Sequence, residues 1–569
     1  MGERLDTERT IGARLRPQGC AHGCAGCPRT RARSTLAGVD LPSLPLPTFL
    51  QGRGVPDAAL LLGHDPHLGT VMDRLARVFG DRPLVTQPAD PKTGVLALKL
   101  TYREAAARVE QISASIAALT VPGDRVVIAV PNEYRFLLVC LAAARAGCVA
   151  VPCNPQMRPA EIDHVIADSG ATLVLRTEGD LPTGTGDGNR VNAPGAPSAP
   201  DDVAALFYTS GTTGKPKGVR LTHAALAGSL RGLGLPRWLR ADEALLGLPV
   251  AHIYGFVGYL GLAAFGIASY VLPRFRPVEA LDAIEARHPS VFLGVPAMYR
   301  LLLEAGAEQR DLKSIRLFAS GADGLPDDIA RTFQRLGAAA CLPIIGPVGE
   351  AGFLEGYGMV ELAGGALVKL RPPMPPGAGM LGVADLIAGL GMGVPVPGVS
   401  VRIVDDLGND VSAAGQGELW VKSPSALKGY HGAPDATAAV LTPDGWVRTG
   451  DLVRRGPLGS VIFVGRAKDV IKSGGYAVYA LEVERVLEEA PGVVEAAVLG
   501  VADALMGERV VAVVRVEVGS SVNGEDVRVF ASDRLSAYKA PTEVKVVTDL
   551  PRTGTEKVQK RELRALFEA

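Results

Sequence analysis

This chain of 569 residues has few cysteines and a net charge close to zero. Seven cysteines are too few to suggest a disulfide scaffold in so long a chain, and this usage fits a reducing cytoplasm. Four of them, Cys140, Cys148, Cys153 and Cys341, stand in apolar surroundings that predict small core residues. A formal net charge of −1 supplies no basic field that would attract nucleic acid, so that class of partner is excluded.

Membrane-targeting segments are also missing from the sequence pattern. The first forty residues have no apolar core of the kind that a signal peptide needs, so we expect none. One uncharged run, Ile253–Leu272, is long enough to span a bilayer, but four glycines interrupt it and it ends in the strand-like SYVLP. We predict a buried helix followed by a buried strand, and a cytoplasmic protein with at most peripheral membrane contact.

Residues 1–50 are rich in Arg, Gly and Pro and show no periodic pattern, which predicts a disordered leader. They contain CAHGCAGC, in which Cys20, Cys24 and Cys27 have C-x3-C-x2-C spacing. This spacing resembles the iron–sulfur motif of radical S-adenosylmethionine enzymes. Such enzymes need a barrel domain directly after the motif, and this sequence shows none, so we favour the leader over a metal site.

A chain of this length exceeds what one hydrophobic core holds, so at least two domains are expected. From Arg125 to Leu175 buried strands alternate with helices, which is typical of doubly wound α/β layers. Antiparallel strands are predicted near Val399–Asp405 and Gly417–Lys422. We therefore predict an α/β protein: a large N-terminal domain of doubly wound mixed sheets plus a β subdomain (51–465), and a small mobile α+β C-terminal domain (466–569).

The stretch YTSGTTGKPKG, at Tyr208–Gly218, has the composition of a phosphate-binding loop. Only two residues separate Gly211 from Gly214, and Pro216 follows Lys215, so it is not a Walker A loop. Backbone N–H groups and hydroxyls of such a loop can bind phosphate oxygens, and its lysines add mobile charges. The predicted phosphate-binding residues are Thr209, Ser210, Gly211, Thr212, Thr213, Gly214, Lys215 and Lys217.

This loop closely resembles the signature of the adenylate-forming, or AMP-binding, superfamily, which includes acyl-CoA synthetases, luciferases and the adenylation domains of peptide synthetases. Further motifs follow in the family's order: PVAHIYG (Pro249–Gly255), SGAD (Ser320–Asp323), EGYGMVE (Glu355–Glu361), GWVRTGD (Gly445–Asp451), GRAKDVIKSGG (Gly465–Gly475) and LPRTGTEKVQK (Leu550–Lys560). The resemblance runs from about Leu98 to the C-terminus, and within the superfamily the chain resembles bacterial fatty acyl-CoA synthetases.

The resemblance implies roles in nucleotide binding and in catalysis. An aromatic face suits adenine and a carboxylate suits Mg²⁺, as expected for Tyr357 and Glu361. The residues implied for ATP or AMP binding beside the loop are Gly321, Ala322, Asp323, Tyr357, Gly358, Asp451 and Arg466. The residues implied for catalysis are Lys557, which would contact the carboxylate and the α-phosphate, Glu361, and His252 by the acyl pocket. Lys468 would form the hinge, and Ser473, Gly474 and Gly475 would face the pantetheine of coenzyme A.

The implied activity is a two-step, AMP-forming acid–thiol ligation with ATP, Mg²⁺ and coenzyme A. The apolar segments Val250–Leu272 and Val291–Leu303 predict a medium- or long-chain fatty acid, with aryl acids and short dicarboxylates as alternatives. An acyl carrier protein is the alternative acceptor. Two departures from the family pattern, Val360 for the usual Thr and Glu556 for the usual Gly, support a third interpretation: an impaired binding or regulatory homologue.

Overall fold

The computed structural model of the chain describes residues 66–567, except for 93, 178–179, 181–197, 210–215, 229–240, 343, 375–389, 412–414, 518 and 553–557. Several predictions fall outside these ranges. They concern the cysteine-containing leader, the centre of the phosphate loop at 210–215, and the Glu556–Lys557 pair.

Strands, numbered along the chain, build a nine-stranded sheet in the order β16-β15-β14-β11-β10-β8-β9-β1-β2. Its central pairs, from β14 across to β1, are parallel, and the pairs at both edges are antiparallel. The strands are β1 (Pro83–Gln87), β2 (Leu98–Thr101), β8 (Glu243–Leu246), β9 (Ala268–Val271), β10 (Val291–Gly294), β11 (Leu317–Gly321), β14 (Gly352–Met359), β15 (Gly364–Arg371) and β16 (Val394–Pro395).

A second sheet has the order β5-β3-β4-β6-β7, parallel except for the closing β6–β7 hairpin. Its strands are β3 (Arg125–Ile128), β4 (Val149–Pro152), β5 (Leu173–Leu175), β6 (Val203–Thr209) and β7 (Lys217–Thr222). Both sheets follow the βα alternation predicted from the sequence, so the mixed, doubly wound α/β fold of the large domain is confirmed.

Helices connect the strands of the large domain, and between Arg125 and Leu175 they follow the predicted alternation. They are α1 (Val71–Phe79), α2 (Tyr102–Ala117), α3 (Tyr134–Arg145), α4 (Pro159–Ser169), α5 (His223–Gly228), α6 (Ile253–Ala264), α7 (Pro277–Arg287), α8 (Pro296–Glu304), α9 (Asp327–Leu336) and α10 (Pro434–Val440). A capping box between Thr101 and Glu104 fixes the start of α2. After α3 the chain reverses at Gly147, whose φ of 78° favours glycine.

Helix α6 and strand β9 confirm the prediction for the uncharged run. In the described ranges no helix is both long enough and apolar enough to cross a membrane. The helix lies between the two sheets. The ring of Phe256 packs edge-on against the ring of Phe207 on β6, with 5.4 Å between the ring centroids, and Gly258 faces Leu293 of β10. Its buried position explains why all of its faces are apolar.

A four-stranded antiparallel sheet forms the β subdomain, as predicted, from β17 (Ser400–Val404), β18 (Gln416–Lys422), β19 (Val447–Arg455) and β20 (Val461–Arg466). A separate hairpin consists of β12 (Ala340–Leu342) and β13 (Gly346–Val348). The prediction that Cys341 is a core residue is wrong, because this two-stranded hairpin leaves Cys341 and its apolar neighbours exposed. Cys140, Cys148 and Cys153 are buried, as predicted.

The small C-terminal domain has the predicted α+β composition. Its sheet has the order β22-β21-β24-β23, with β25 parallel to β24. The elements are β21 (Val470–Ser473), β22 (Tyr476–Tyr479), α11 (Ala480–Glu488), β23 (Val493–Asp503), β24 (Gly507–Val516), α12 (Gly524–Ser532), β25 (Glu543–Val547) and α13 (Lys560–Arg564). Val483, Leu487, Val498, Val510 and Val514 form a core of its own.

Candidate active site

The candidate site forms at the carboxyl ends of the parallel strands β11 and β14, where open α/β sheets place their ligands. Gly321 at the end of β11 pairs with Gly356 of β14, so Ala322 and Asp323 follow directly beside Tyr357. A Cβ added to Gly321 would lie 2.9 Å from the ring of Tyr254, so only glycine allows this close approach. Ala322 has a φ of 73°, and the chain turns away there.

Tyr357, Asp451 and Arg466 form a connected group. The Tyr357 hydroxyl donates to Oδ2 of Asp451 at 2.6 Å, and Nε of Arg466 lies 3.1 Å from Oδ1 of the same carboxylate. The β19–β20 register places Asp451 opposite Arg466. Burial raises the pKa of Tyr357 far above the usual range, so the phenol stays protonated and remains a donor.

One oxygen of Asp451 is suited to a further donor. The residue is only 3 % exposed, and Oδ1 receives no hydrogen bond although Arg466 is close enough for an ion pair. A buried carboxylate oxygen without a hydrogen bond is costly, and ligand hydroxyls can relieve that cost. The sequence prediction that Asp451 binds ribose hydroxyls is compatible with this geometry.

Glu361 lies in a short 3-10 turn, Val360–Leu362, directly after β14. It is 6 % exposed, and Oε1 accepts a hydrogen bond from the Tyr430 hydroxyl at 2.8 Å. Burial raises the pKa of the Glu361 carboxyl, and the hydrogen bond from Tyr430 opposes this shift. The charge of Arg466 also lowers the pKa, whereas the charge of Asp451 raises it. Glu361 therefore shares one electrostatic environment with the Asp451–Arg466 pair.

The base of the predicted phosphate loop reaches the same cluster. Thr209 and Lys217 form the last pair of the β6–β7 hairpin, and the six residues between Thr209 and Pro216 are outside the described ranges. Lys217 Nζ lies 5.7 Å from the centroid of the Tyr430 ring, in a cation–π arrangement. The segment around Tyr430 runs beside β7, where the His431 N–H donates to the Gly218 carbonyl at 2.7 Å. Tyr430 thus joins the loop to Glu361.

Tyr430 is a site residue that the sequence reasoning missed. No motif marks it, and the bond to Glu361 joins positions 69 residues apart. The segment docks through backbone pairing, since the Leu427 N–H donates to the Glu361 carbonyl at 2.8 Å and Val219 bridges Tyr430. Backbone pairing of this kind leaves no side-chain pattern that a sequence could show.

His252 caps the start of α6, where Nδ1 accepts a hydrogen bond from the Tyr254 N–H at 3.3 Å. The ring of Tyr254 lies against Gly321 at the end of β11, and its hydroxyl donates to the Gly294 carbonyl oxygen at the end of β10 at 3.4 Å. Burial raises the pKa of Tyr254 well above its usual value. The predicted acyl-pocket histidine therefore stands beside a buried aromatic side chain at the start of α6.

The residues predicted for the second step lie on the small domain. Lys468 occupies a 3-10 turn, Ala467–Asp469, between β20 and β21. Ser473 is buried, whereas Gly474 and Gly475 are exposed at the turn of the β21–β22 hairpin, with φ values of 57° and 83°. These dihedrals need glycine at both positions, so the turn presents bare backbone to solvent.

The segment that contains Lys557 is anchored at both ends. Arg552 and Val558 form an antiparallel bridge that brackets residues 553–557, and Gln559 Nε2 donates to the Arg552 carbonyl at 2.7 Å. Lys557 itself lies outside the described ranges, so its proposed contact with the nucleotide stays a prediction.

A magnesium site is compatible with the acidic residues present. Over the described ranges, no three His, Cys, Asp or Glu side chains cluster as a complete metal site. Mg²⁺ in nucleotide enzymes usually binds through one or two carboxylates, with water and phosphate oxygens as the other ligands. A single buried carboxylate such as Glu361, beside the phosphate loop, fits that donor set.

Comparison with known proteins places the chain in a family. The AMP-binding enzyme family matches residues 72–431, and the AMP-binding enzyme C-terminal domain matches residues 482–557. A feruloyl-CoA synthase of Amycolatopsis sp is 35 % identical over 82 % of this chain and 94 % of its own length. A fatty acid–[acyl-carrier-protein] ligase, ScoC of Streptomyces coeruleorubidus, is 30 % identical over 84 % of this chain and 94 % of its own.

Among solved structures, ATP-bound MatB from Rhodopseudomonas palustris superposes with a TM-score of 0.71 at 28 % identity, covering 89 % of this chain and 99 % of that one. Adenylate-forming enzymes use ATP with Mg²⁺ and coenzyme A. The fold, the order of the motifs and the two family matches agree. The chain belongs to the adenylate-forming superfamily of AMP-binding enzymes and is an AMP-forming acid–thiol ligase.

Proposed function

We propose that the protein converts an apolar monocarboxylic acid to an acyl-adenylate and then to a thioester of coenzyme A, releasing pyrophosphate and AMP. One observation carries this proposal: Tyr430 joins Lys217, at the base of the phosphate loop, to the buried carboxylate Glu361. This contact supports the proposal, because adenylyl transfer from ATP depends on groups that position the phosphates and neutralise their charge side by side.

In the first step a carboxylate oxygen of the acid attacks the α-phosphorus of ATP in line, and pyrophosphate leaves. Positioning and charge neutralisation supply most of the rate enhancement. The loop from Thr209 to Lys217 would hold the β- and γ-phosphates, and Asp451 with Arg466 would hold the ribose. Lys557 would stabilise the charge that develops on the pentacoordinate phosphorus. Mg²⁺ at Glu361 would screen the phosphate oxygens.

In the second step a thiol attacks the carbonyl carbon of the acyl-adenylate, and AMP leaves with the bonding electron pair. The exposed Gly474–Gly475 turn is the surface that would face the pantetheine arm after the small domain rotates about Lys468. Because both glycines have positive φ and no side chain, the backbone can approach the thiol closely. The domain boundary proposed at Gly465–Lys468 falls at this hinge.

Apolar residues of α6 and of the β10–α8 segment would line the acid site. Val257, Leu293 and Met298 are buried there, and Gly258 leaves space beside Leu293. This wall supports the medium- or long-chain fatty acid that the sequence predicts. A second candidate is an aryl acid, because the aromatic ring of Tyr254 lies beside His252 and the feruloyl-CoA synthase is 35 % identical.

Three cations of the described residues, Arg300, Lys369 and Arg371, are already paired with acids, which disfavours them as partners of a second substrate carboxylate. Arg300 of α8 lies 3.4 Å from a Glu495 oxygen. Lys369 and Arg371 of β15 are both paired with Asp327. A second carboxylate would have to displace one of these acids, and separating a buried ion pair is costly.

The acceptor of the acyl group can be coenzyme A or the pantetheine of a carrier protein. The similarity to a fatty acid–[acyl-carrier-protein] ligase supports the second acceptor. The pantetheine arm is common to both, so the Gly474–Gly475 turn serves either acceptor. We expect product formation with free coenzyme A, and faster product formation with a holo-carrier protein would reverse this assignment.

Pyrophosphate exchange tests the proposal and identifies the acid in one experiment. The purified protein is incubated with ATP, Mg²⁺, labelled pyrophosphate and one acid at a time, drawn from octanoate, palmitate, ferulate, benzoate and malonate. We expect exchange with an apolar monocarboxylate and none with malonate. Exchange with malonate alone would contradict the assignment of the acid, and no exchange with any acid would contradict the proposed activity.

A further inference from the structure

The carboxylate of Glu495, on β23 of the small domain, is surrounded by three arginines. Arg552 lies 2.5 Å from Oε2, Arg300 lies 3.4 Å from Oε1, and Arg515 lies 3.7 Å from Oε2. Glu495 is only 5 % exposed. A buried carboxylate with three cationic neighbours is the centre of a network rather than a surface ion pair.

The network joins the two domains at two points. Arg300 belongs to α8 of the large domain, whereas Arg515 and Arg552 belong to the small domain. Arg515 also reaches back to Glu304, the last residue of α8, at 3.2 Å. Rotating the small domain would separate Glu495 from Arg300 and Arg515 from Glu304 together. These two contacts therefore exist only in orientations of the small domain that keep Glu495 and Arg515 beside α8.

Arg552 connects this network to the segment that precedes Val558. It is the residue whose bridge to Val558 closes that segment, and its guanidinium binds Glu495. Glu495 therefore pairs both with Arg300 of the large domain and with Arg552, whose backbone bridge to Val558 brackets residues 553–557. An arginine held by a buried carboxylate has little freedom, so the bridge at Val558 is fixed relative to α8.

The exposed Gly474–Gly475 turn indicates which reaction step this orientation serves. Both glycines face solvent, so the surface assigned to the thiol step is not covered by the large domain. We propose that Glu495 is a positioning residue for adenylation: it holds the small domain on α8 through Arg300 while the acyl-adenylate forms, and it releases Arg300 before thioester formation. This inference rests on the proposed function.

Glu495→Gln tests the inference, because the amide keeps the shape of the side chain and removes its charge. Two rates are measured for each variant: pyrophosphate exchange with the preferred acid, and thioester formation from a supplied acyl-adenylate. We expect exchange to fall about 10-fold, within the range typical of coupling between two conformational states, and thioester formation to keep its rate or rise.

Arg300→Gln is the second variant, because it removes the large-domain partner and leaves the Arg552–Glu495 pair intact. It should show the same split between the two rates. Glu517→Gln, an exposed glutamate of the same domain, is the matched control and should change neither rate. The melting temperature of each variant is measured to show that it folds. If Glu495→Gln does not fold, the two rates of Arg300→Gln alone test the inference.

Equal loss in both half-reactions, or no loss in either, for Arg300→Gln would overturn the positioning role of Glu495. A wild-type protein without exchange for any acid would overturn the proposed function instead. The two failures are therefore distinguishable from each other.

Discussion

The hydroxyl of Tyr430 donates a 2.8 Å hydrogen bond to Glu361, and the face of the same ring receives the ammonium group of Lys217. A single aromatic side chain thus contacts the base of the phosphate loop and the proposed magnesium ligand. Substituting Tyr430 should change the affinity of the enzyme for Mg²⁺ without removing any group that we assign to nucleotide binding.

Tyr430→Phe removes the hydroxyl and keeps the ring. Loss of the donor raises the pKa of Glu361 further, since the Tyr430 bond opposes the effect of burial. Because a metal ligand must be deprotonated, the acid limb of the pH–rate profile should move to higher pH. We expect the apparent affinity for Mg²⁺ to fall roughly 10-fold, which is the low end of what the hydrogen-bond partners of metal ligands contribute. An unchanged profile would exclude Glu361 as the ligand.

Glu361→Gln should separate stability from activity. Burial raises the pKa of Glu361 in the folded state above its value in the unfolded state. The contribution of Glu361 to folding stability is therefore complete at pH values below the unfolded-state pKa. It is lost as the pH rises through the folded-state pKa. At neutral pH the neutral amide should therefore raise the melting temperature while adenylation is lost. Calorimetry at pH 4 and pH 7.5 checks this: the gain should be confined to the higher pH.

Val360→Thr should restore a hydroxyl that the family pattern places near the α-phosphate. One hydrogen bond to a charged group contributes about 1.5–3 kcal/mol, so pyrophosphate exchange should rise about 10-fold or more. Val360→Ala is the matched control, because it changes the side chain without adding a donor. Equal rates for Thr and Ala would show that the hydroxyl has no partner in this enzyme.

Gly321→Ala introduces a Cβ 2.9 Å from the Tyr254 ring, and we expect about 1–3 kcal/mol of destabilisation from overpacking. Gly324, three residues further along, has nothing within 4 Å of an added Cβ, so Gly324→Ala is the control. Chemical denaturation of both variants measures the difference. Equal stability would mean that the loop moves away from Tyr254 at no cost.

Lys557→Ala should abolish adenylate formation and spare thioester formation from a supplied acyl-adenylate. Lys560, three residues later, is held at 2.6 Å by Glu484, so Lys560→Ala serves as the control and should affect both half-reactions little. Single-turnover assays of each half-reaction give the comparison. If Lys557→Ala slowed both steps equally, the division of labour between the two domain orientations would be wrong.

The sequence predicts the large-scale fold well, because burial and period determine strands and helices locally. The run from Ile253 to Leu272 shows this, since glycine interruptions and a strand-like end distinguish α6 and β9 from a membrane span. Boundaries are less exact: the strand expected near Val399–Asp405 spans Ser400–Val404. The environment of Cys341 is mispredicted because an apolar sequence does not reveal that its two strands form a sheet of their own and join neither large sheet.

Contacts between distant segments are what the sequence does not reveal. The motifs name Glu361, Asp451 and Tyr357 one by one, but the Tyr357–Asp451 bond joins residues 94 positions apart. Glu495 carries no motif at all, and its partners come from three separate elements. Ion pairs of this kind depend on how domains dock, and neither periodicity nor local spacing encodes that docking.

Tyr254 couples the end of β10 to the loop that follows β11. Its ring lies against Gly321, directly before Ala322 and Asp323, and its hydroxyl donates to the Gly294 carbonyl. A substitution of Tyr254 should therefore change the loop predicted to pack on adenine together with the end of β10. A change of acid preference made at this position would carry a change in nucleotide affinity with it.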